Sequence, residues 1–282
     1  MLYVEVGRFA EISSGLLDHR CSDSVRSRLL VAIGSARQLA GWTAFDAGAD
    51  CDAQRHWIAA ERAAVAAADG QLVARVRYSQ ARQFQHARHN RDALQTLRLA
   101  RAQLGAAATP ALSAMLHGAE ASSLAALGDR CGALAALDDA CREHDRIDPE
   151  REPSWMRFYG RGELLAQHGR VYRDLARSDR AQAQPAVQWV SDAVDAFAPG
   201  SGLARNRLLN EIGLCSALFL AGASEEEAIA VAERLIPAAE RMTSARVIDR
   251  IRGIRRDLAD WATHPGVSEF ADRLDTVGVA AG

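Results

Sequence analysis

The sequence predicts an all-α protein. Alanine is abundant, aromatic residues make up only 6% of the chain and β-branched residues are sparse, a composition that favours helix. No segment of convincing length alternates apolar and polar residues as a strand would. Because 49% of the 282 residues are apolar, the chain can bury a large core, as one extended domain or two compact ones.

Charge and cysteine content narrow the classes of function. The net charge is −2, so the chain lacks the overall basic field that nucleic-acid binding uses. Its cysteines are odd in number and irregularly spaced, which favours free thiols in a reducing cytosol over a disulfide framework. The first residues contain no signal-peptide core, and no apolar run is long enough for a bilayer. We therefore expect a cytoplasmic protein without membrane association.

Five turns divide the helical pattern into hairpins that recur about every 40 residues or somewhat more, a period typical of helical repeats. The last side chain of each turn can accept backbone N–H bonds, so we expect it to cap the second helix of its hairpin. In the last turn a Glu three residues later completes a capping box. These cap residues are Asp50, Asn90, Asp129, Asp179 and Ser224.

Each hairpin also carries two small residues, one in each helix, at a constant separation of twelve positions. Small residues allow two helices to cross closely, and bulky residues such as Trp57 then fill the space to the next hairpin. One hairpin cannot bury its apolar face alone, so stacking supplies the core. The pairs are Gly41 and Ala53, Ala81 and Ala93, Ala121 and Ala133, Gly169 and Ala181, and Ser216 and Ala228.

This pattern of turn residues and paired small residues resembles the tetratricopeptide repeat. The segments QLAGWTAFDAG (38–48), GRVYRDLARSDRA (169–181) and SARVIDRIRGIRRDL (244–258) resemble the tetratricopeptide region of actinobacterial transcriptional regulators that carry a lambda-repressor-like helix-turn-helix at their N-terminus. The resemblance covers residues 6–274 and implies a right-handed superhelix of antiparallel helix hairpins. No DNA-binding domain precedes the repeats, so we expect a stand-alone sensor domain or a start assigned too late. Direct nucleic-acid binding by this chain is not expected.

Breaks in the helical pattern set the expected organisation. Prolines, glycines and charges interrupt it at 145–155 (DRIDPEREPSW) and at 197–206 (FAPGSGLARN), and such residues break helices. We expect an N-terminal helical segment at 1–34, repeat units one to three at 35–144 and a loop at 145–158. Units four and five with a C-terminal capping helix follow at 159–262, and a fraying tail occupies 263–282.

Three clusters of potential metal ligands do not have metal-site spacing. The acidic loop around Gly48 lacks the distal Glu of a calcium loop, since Glu61 lies inside the next helix. The histidine pair lacks the Glu of the zincin motif, and the cysteine cluster does not converge as four zinc ligands do. The clusters are Asp46, Asp50 and Asp52; His86 and His89; and Cys131, Cys141 and His144. We expect no metal and no cofactor.

Catalytic motifs are also missing. The sequence has no Gly-x-Ser-x-Gly elbow, and it has no Lys for a phosphate loop. Glu163 and His168 are the nearest candidate acid–base pair, but five positions apart on a helix they do not face each other. We therefore expect no enzymatic activity, with an enzyme built on a repeat fold as the least favoured alternative.

The resemblance implies a concave groove lined by the first helix of each hairpin. The third hairpin offers mostly small side chains there (Met115, Gly118, Ser122, Ala125 and Ala126), which leaves space. Around it, arginines offer forked donors for carboxylate or phosphate, aromatic rings offer flat apolar area, and an asparagine can bond a peptide backbone. Solvated arginines are the alternative explanation for any one of them. The expected ligand-binding residues are Trp42, Phe45, Asp46, Arg75, Tyr78, Arg82, Glu163, Arg170, Arg173 and Asn210.

The segment 244–260 combines five arginines with interleaved acids. Contact with nucleic acid is one interpretation, but local ion pairs on a solvated capping helix are favoured. The arginines are Arg246, Arg250, Arg252, Arg255 and Arg256, and the acids are Asp249, Asp257 and Asp260.

Together these features predict a tetratricopeptide sensor module in transcriptional regulation with no chemistry of its own. Its expected partner is a peptide, a protein or a small acidic ligand in the groove. Binding would change the curvature of the array, and a partner or a homodimer interface would receive that change. The alternative is a protein–protein interaction scaffold that senses nothing.

Overall fold

The computed structural model describes residues 2–197, 203–223, 225–241, 244–261 and 263–277. It is 83% helical, and its described part contains no strand, which confirms the all-α class. None of the described helices combines the length and the apolar character that a bilayer crossing requires. The helices are α1 (Leu2–Ser14), α2 (Asp23–Asp46), α3 (Asp50–Ala66), α4 (Gly70–His86), α5 (Asn90–Leu104), α6 (Pro110–Ala126), α7 (Arg130–His144), α8 (Arg161–Ala176), α9 (Ala183–Ala196), α10 (Ala204–Ala221), α11 (Glu225–Glu240), α12 (Ala245–Arg252) and α13 (Pro265–Thr276).

Neighbouring helices pack as pairs. The strongest packing joins α2 to α3, α4 to α5, α6 to α7 and α8 to α9, and α10 packs on α11. The predicted turns lie between the two helices of these pairs. The second helix of each pair also contacts the first helix of the next, so the core is continuous from hairpin to hairpin.

The alternate helices form a closed circuit of contacts. In chain order α2 contacts α4, α4 contacts α6, α6 contacts α8, α8 contacts α10 and α10 contacts α12. Helix α12 in turn contacts α2. The C-terminal part of the chain therefore returns to the first hairpin, and the inner helices surround a common space.

Close helix crossings occur at the predicted small residues. A Cβ at Gly41 would lie 2.5 Å from Trp57 Cδ1, and a Cβ at Gly169 would lie 2.5 Å from Val190 Cγ2. Trp57 is fully buried, and its indole N–H donates to the Gln38 carbonyl over 3.3 Å. It packs with residues of α4, including Leu72, so it fills the space between two hairpins as predicted.

The cap predictions were partly wrong. Asp129 accepts from the Gly132 N–H over 2.9 Å, and Asp179 accepts from the Ala181 N–H over 3.1 Å. Asp50 and Asn90 are instead the first residues of α3 and α5, whose N-caps have no side-chain cap bond. The Asp50 carboxylate accepts from Gln83 Nε2 over 2.8 Å and so joins α3 to α4. Ser224 lies outside the described residues.

The C-terminal region differs from the expected capping helix and fraying tail. After α12 the chain forms short 3-10 segments at Gly253–Asp257 and Ala259–Trp261, and then α13. The side chains of Val267, Phe270 and Leu274 are buried in a core shared with α10 and α11. The expectation of a fraying tail is therefore wrong up to Val277, because these apolar side chains fix α13 to the last hairpin. Residues 278–282 lie outside the described part.

Candidate functional site

A cavity of about 780 Å³ lies among α4, α6, α8, α10 and α12. This volume is within the range of small-molecule sites in proteins. Its lining is dominated by charge, with eight arginines and only three aspartates. The small residues of α6 (Ser122, Ala125 and Ala126) form part of its wall, so the third hairpin contributes open space.

Helix α12 supplies part of this lining, which corrects the expectation of a solvated capping helix. Arg246 and Arg250 are four positions apart and share the face that borders the cavity. Val247 and Ile251 on the opposite side are fully buried in the core of the last hairpin. Arg246 is only 6% exposed, so the cavity side of α12 is also covered at this residue.

The acids of this region bind distant partners rather than their neighbours in sequence. Asp249 Oδ2 lies 3.2 Å from His86 Nε2 of α4. Asp260 pairs with Arg180. The expected local ion pairs are therefore wrong, because the carboxylates fasten the C-terminal segment to helices earlier in the chain.

Asp257 is the most buried carboxylate in the cavity wall, at 4% exposure. It accepts from Arg177 Nε over 2.8 Å and Nη2 over 3.0 Å, and also from the Ser216 hydroxyl. Burial raises the pKa of Asp257, but the bonds and charge of Arg177, with help from Ser216 and Arg173, outweigh it and leave the pKa below its ordinary value. Arg177 also pairs with Asp174, so the two carboxylates share one guanidinium.

Four buried or half-buried arginines of the cavity have no ion-pair partner among the described residues. They are Arg82 on α4, Arg170 and Arg173 on α8, and Arg250 on α12. The Nε atoms of Arg170 and Arg173 are buried without a hydrogen-bond partner in the part of the chain that the structure describes. Arg82 donates to the neutral side chain of Gln85. Buried cations without partners are costly in folded proteins.

These guanidinium groups also act on one another. Burial and the neighbouring Arg82 charge lower the pKa of Arg170 to about 9. Burial, and then the charges of Arg170, Arg82 and Arg173, lower the pKa of Arg250 well below its ordinary value. Arg170 remains charged near pH 7, so the cavity confines repelling positive charges that an anion would relieve.

Three of the predicted ligand-binding residues line the cavity and three support it from behind. Arg82, Arg170 and Arg173 are part of the lining. The Arg246 guanidinium lies 5.0 Å from the Trp42 ring centroid and 4.6 Å from that of Phe45, so these rings hold an arginine in place.

Asp46 is the third supporting residue. It pairs with Arg205 of α10, and its Oδ1 lies 3.1 Å from the Ser244 hydroxyl and 3.6 Å from Arg246 Nη1. One carboxylate at the end of α2 thus joins α10 and α12. Because Arg205, Ser244 and Arg246 occupy the Asp46 carboxylate, its main role is to close the circuit of helices.

The remaining predicted ligand residues lie outside the cavity lining. The Arg75 guanidinium stacks 4.8 Å from the Trp155 ring centroid, and Tyr78 packs against a core around α6. Glu163 accepts from Asn206 Nδ2 over 2.6 Å, and burial raises its pKa. Asn210 donates to the Asn206 carbonyl over 2.8 Å within its own helix.

Reasoning from sequence missed several lining residues. The signal that could have revealed part of them is the four-residue spacing from Arg173 to Arg177 and from Arg246 to Arg250, which places each pair on one helix face. The missed residues are Arg177, Ser216, Arg246, Arg250, Arg256 and Asp257.

Metal and acid–base clusters are not assembled in the described part of the chain. No group of three or more His, Cys, Asp or Glu there could hold a metal ion. His168 lies 3.4 Å from Cys141 Sγ and packs on Trp189, whereas Glu163 binds Asn206. The candidate pair of Glu163 and His168 therefore has separate surroundings.

Comparison with known proteins gives no assignment, since no family model, curated protein or solved structure matches the chain. The function must therefore be inferred from the chemistry of the cavity. Its lining contains forked cationic donors and a few hydroxyl groups, and this set can bind and neutralise an anion.

Proposed function

We propose that this protein binds a negatively charged ligand in the central cavity and acts as a sensor module with no chemistry of its own. One observation carries the proposal: Arg82, Arg170, Arg173 and Arg250 border one cavity without a carboxylate partner. Their mutual repulsion opposes folding of the empty protein. An anion that accepts their hydrogen bonds would convert this cost into binding free energy.

We further propose that the fold is a tetratricopeptide-like superhelix. The pairing of neighbouring helices, the contacts between alternate helices and the close crossings at Gly41 and Gly169 support this architecture. In such an array the first helix of each pair lies on the inner side, which agrees with a cavity bordered by α4, α6, α8, α10 and α12.

The sensing step follows from the elements that carry the arginines. A ligand bound by α4, α8 and α12 bridges the middle of the chain and its C-terminal segment. It would favour the arrangement in which α12 contacts α2 over any arrangement in which they separate. The resemblance to actinobacterial regulators supports transcriptional regulation as the process, with a partner protein or a second copy receiving the change.

The double variant Arg82→Gln, Arg170→Gln tests the proposal. Thermal unfolding is measured in sodium phosphate, in sodium citrate and in sodium chloride at one ionic strength. We expect phosphate or citrate to raise the Tm of the unmodified protein above its value in chloride, since a ligand that binds only the folded state stabilises it. The double variant should lose this increase, while its Tm in chloride should not fall, because both side chains repel each other.

A matched control removes two arginines elsewhere. Arg55 and Arg142 each pair with an aspartate three positions earlier on an exposed helix face. The variant Arg55→Gln, Arg142→Gln has the same change in net charge and should keep the full anion effect. Equal loss in both double variants would show that the anions act on overall charge, and the cavity assignment would be wrong.

A further inference from the structure

The charges in the cavity also indicate the class of ligand, an inference that rests on the proposed function. Arg177 is shared by Asp174 and Asp257, and Asp249 is paired with His86. The three acids of the lining are therefore already engaged. With the exposed Arg88 left aside, five arginines of the lining then remain without a carboxylate partner in the described structure: the buried or half-buried Arg82, Arg170, Arg173 and Arg250, and the more exposed Arg256.

These five arginines come from separate elements. Arg82 belongs to α4, Arg170 and Arg173 to α8, Arg250 to α12 and Arg256 to the 3-10 segment after it. All of them border the same cavity. A ligand with a single negative charge can satisfy one or two of the guanidinium groups and leaves the others repelling. The constellation therefore requires several negative charges distributed along one ligand.

The enclosure limits the size of that ligand. The cavity holds about 780 Å³ and is walled on different sides by α4, α6, α8, α10 and α12. The whole chain has a net charge of −2, so it lacks the overall basic field that binds a nucleic-acid polymer. A small molecule matches this geometry better than a nucleic acid does.

We propose that the cavity binds a small molecule carrying two or more phosphoryl groups, which arginines of α4, α8 and α12 contact at the same time. A phosphoryl group provides nearly two negative charges and three acceptor oxygens near pH 7, whereas a carboxylate provides one charge. Two or three linked phosphoryl groups provide several negative charges and enough acceptor oxygens to engage several of these arginines at once. The ligand then fastens α12 to α4 and α8 and completes the closed circuit.

Isothermal titration of the full chain with four probes at one ionic strength tests the ligand class. The probes are orthophosphate, pyrophosphate, tripolyphosphate and citrate. We expect affinity to rise at least about tenfold from orthophosphate to tripolyphosphate, because each added group engages further arginines. Citrate, with three carboxylates, should bind at least about tenfold more weakly than tripolyphosphate.

Two variants of the C-terminal segment locate the binding. Arg250→Gln should lower tripolyphosphate affinity at least about tenfold, because it removes one donor from the constellation. Arg255→Gln is the matched control: its side chain is 52% exposed and pairs with Asp275 outside the cavity, so affinity should not change. Should Arg250→Gln fail to fold, Arg170→Gln provides the same measurement from α8.

The pattern of binding distinguishes failure of this inference from failure of the proposed function. Binding of citrate as tightly as tripolyphosphate, with dependence on Arg82 and Arg170, would overturn the phosphoryl assignment and leave an anion sensor. Equal losses in Arg250→Gln and Arg255→Gln would overturn the role of α12. If none of the four probes bound, both the inference and the proposed function would be wrong.

Discussion

Gly41 shows how one side chain determines a helix crossing. A Cβ added at Gly41 would lie 2.5 Å from Trp57 Cδ1. The Trp57 indole is fully buried between the first two hairpins. Gly41 was singled out from sequence because it lies twelve positions before the small residue Ala53, and Trp57 as the bulky residue that follows. The spacing could reveal the crossing because close approach leaves few residue types acceptable.

The variant Gly41→Ala should destabilise the protein by about 1–3 kcal/mol, the usual effect of adding a methyl group to a packed interface. The indole must move, and its hydrogen bond to the Gln38 carbonyl will lengthen. Denaturant unfolding followed by circular dichroism measures the effect. Gly15→Ala is the control, since a Cβ there meets no atom within 4 Å; equal stability of both variants would contradict the crossing model.

Helix caps were harder to predict from sequence than crossings. Asp129 caps α7, whereas Asp50 begins α3 and binds Gln83 of the next hairpin instead. An aspartate is favourable both at the N-cap and in the first helical turn, where the helix dipole stabilises its charge. Composition alone therefore cannot place the helix start to one residue, and only the neighbouring helix decides which role applies.

Helices were largely predictable, because the signals that begin and end them are local. Turns and apolar periodicity gave the order of the five hairpins. Helix α12 was misinterpreted because a charged face looks the same in sequence whether water or a distant helix covers it. Its interleaved arginines and acids predicted local ion pairs, but Asp249 pairs with His86 of α4. An ion pair with a distant helix cannot be recognised from the spacing of neighbouring residues in the sequence.

The 3-10 segment after α12 is fixed by Asp257, and this attachment should depend on pH. The folded-state pKa of Asp257 lies below its ordinary value of 3.8. A carboxyl with a depressed folded pKa contributes stability that is fully present above the unfolded pKa. That contribution is lost as pH falls below about 3.8 and through the folded pKa.

Asp257→Asn should therefore destabilise the protein by about 3 kcal/mol near pH 7, because Arg177 and Ser216 lose a buried charged acceptor. The difference from the unmodified protein should shrink as pH falls below 3.8. Denaturation midpoints across this range measure it. Asp260→Asn is the control, since Asp260 is largely exposed in its pair with Arg180. A difference that stayed constant with pH would contradict the role of the Asp257 charge.

In the molecule as a whole, the contact of α12 with α2 makes the arrangement of helices a closed circuit. This closure was not predictable from sequence, because it depends on small rotations that accumulate over successive hairpins. The cavity depends on the same closure, since α12 supplies Arg246 and Arg250 to its wall. Asp46 was predicted as a groove residue, but its contacts with Arg205, Ser244 and Arg246 make it the link between the two ends of the circuit.

The variant Asp46→Asn separates these two roles of Asp46 by the sign of its effect. If Asp46 faced the bound anion, removing its charge would relieve repulsion and strengthen tripolyphosphate binding. If it holds α12 in place, the variant should weaken binding, because the arginines of α12 leave the constellation. We expect the second result, together with faster hydrogen exchange in α12. Asp52→Asn, which removes a carboxylate whose ion-pair partner among the described residues is Arg55, should alter neither; stronger binding by Asp46→Asn would return Asp46 to the ligand site.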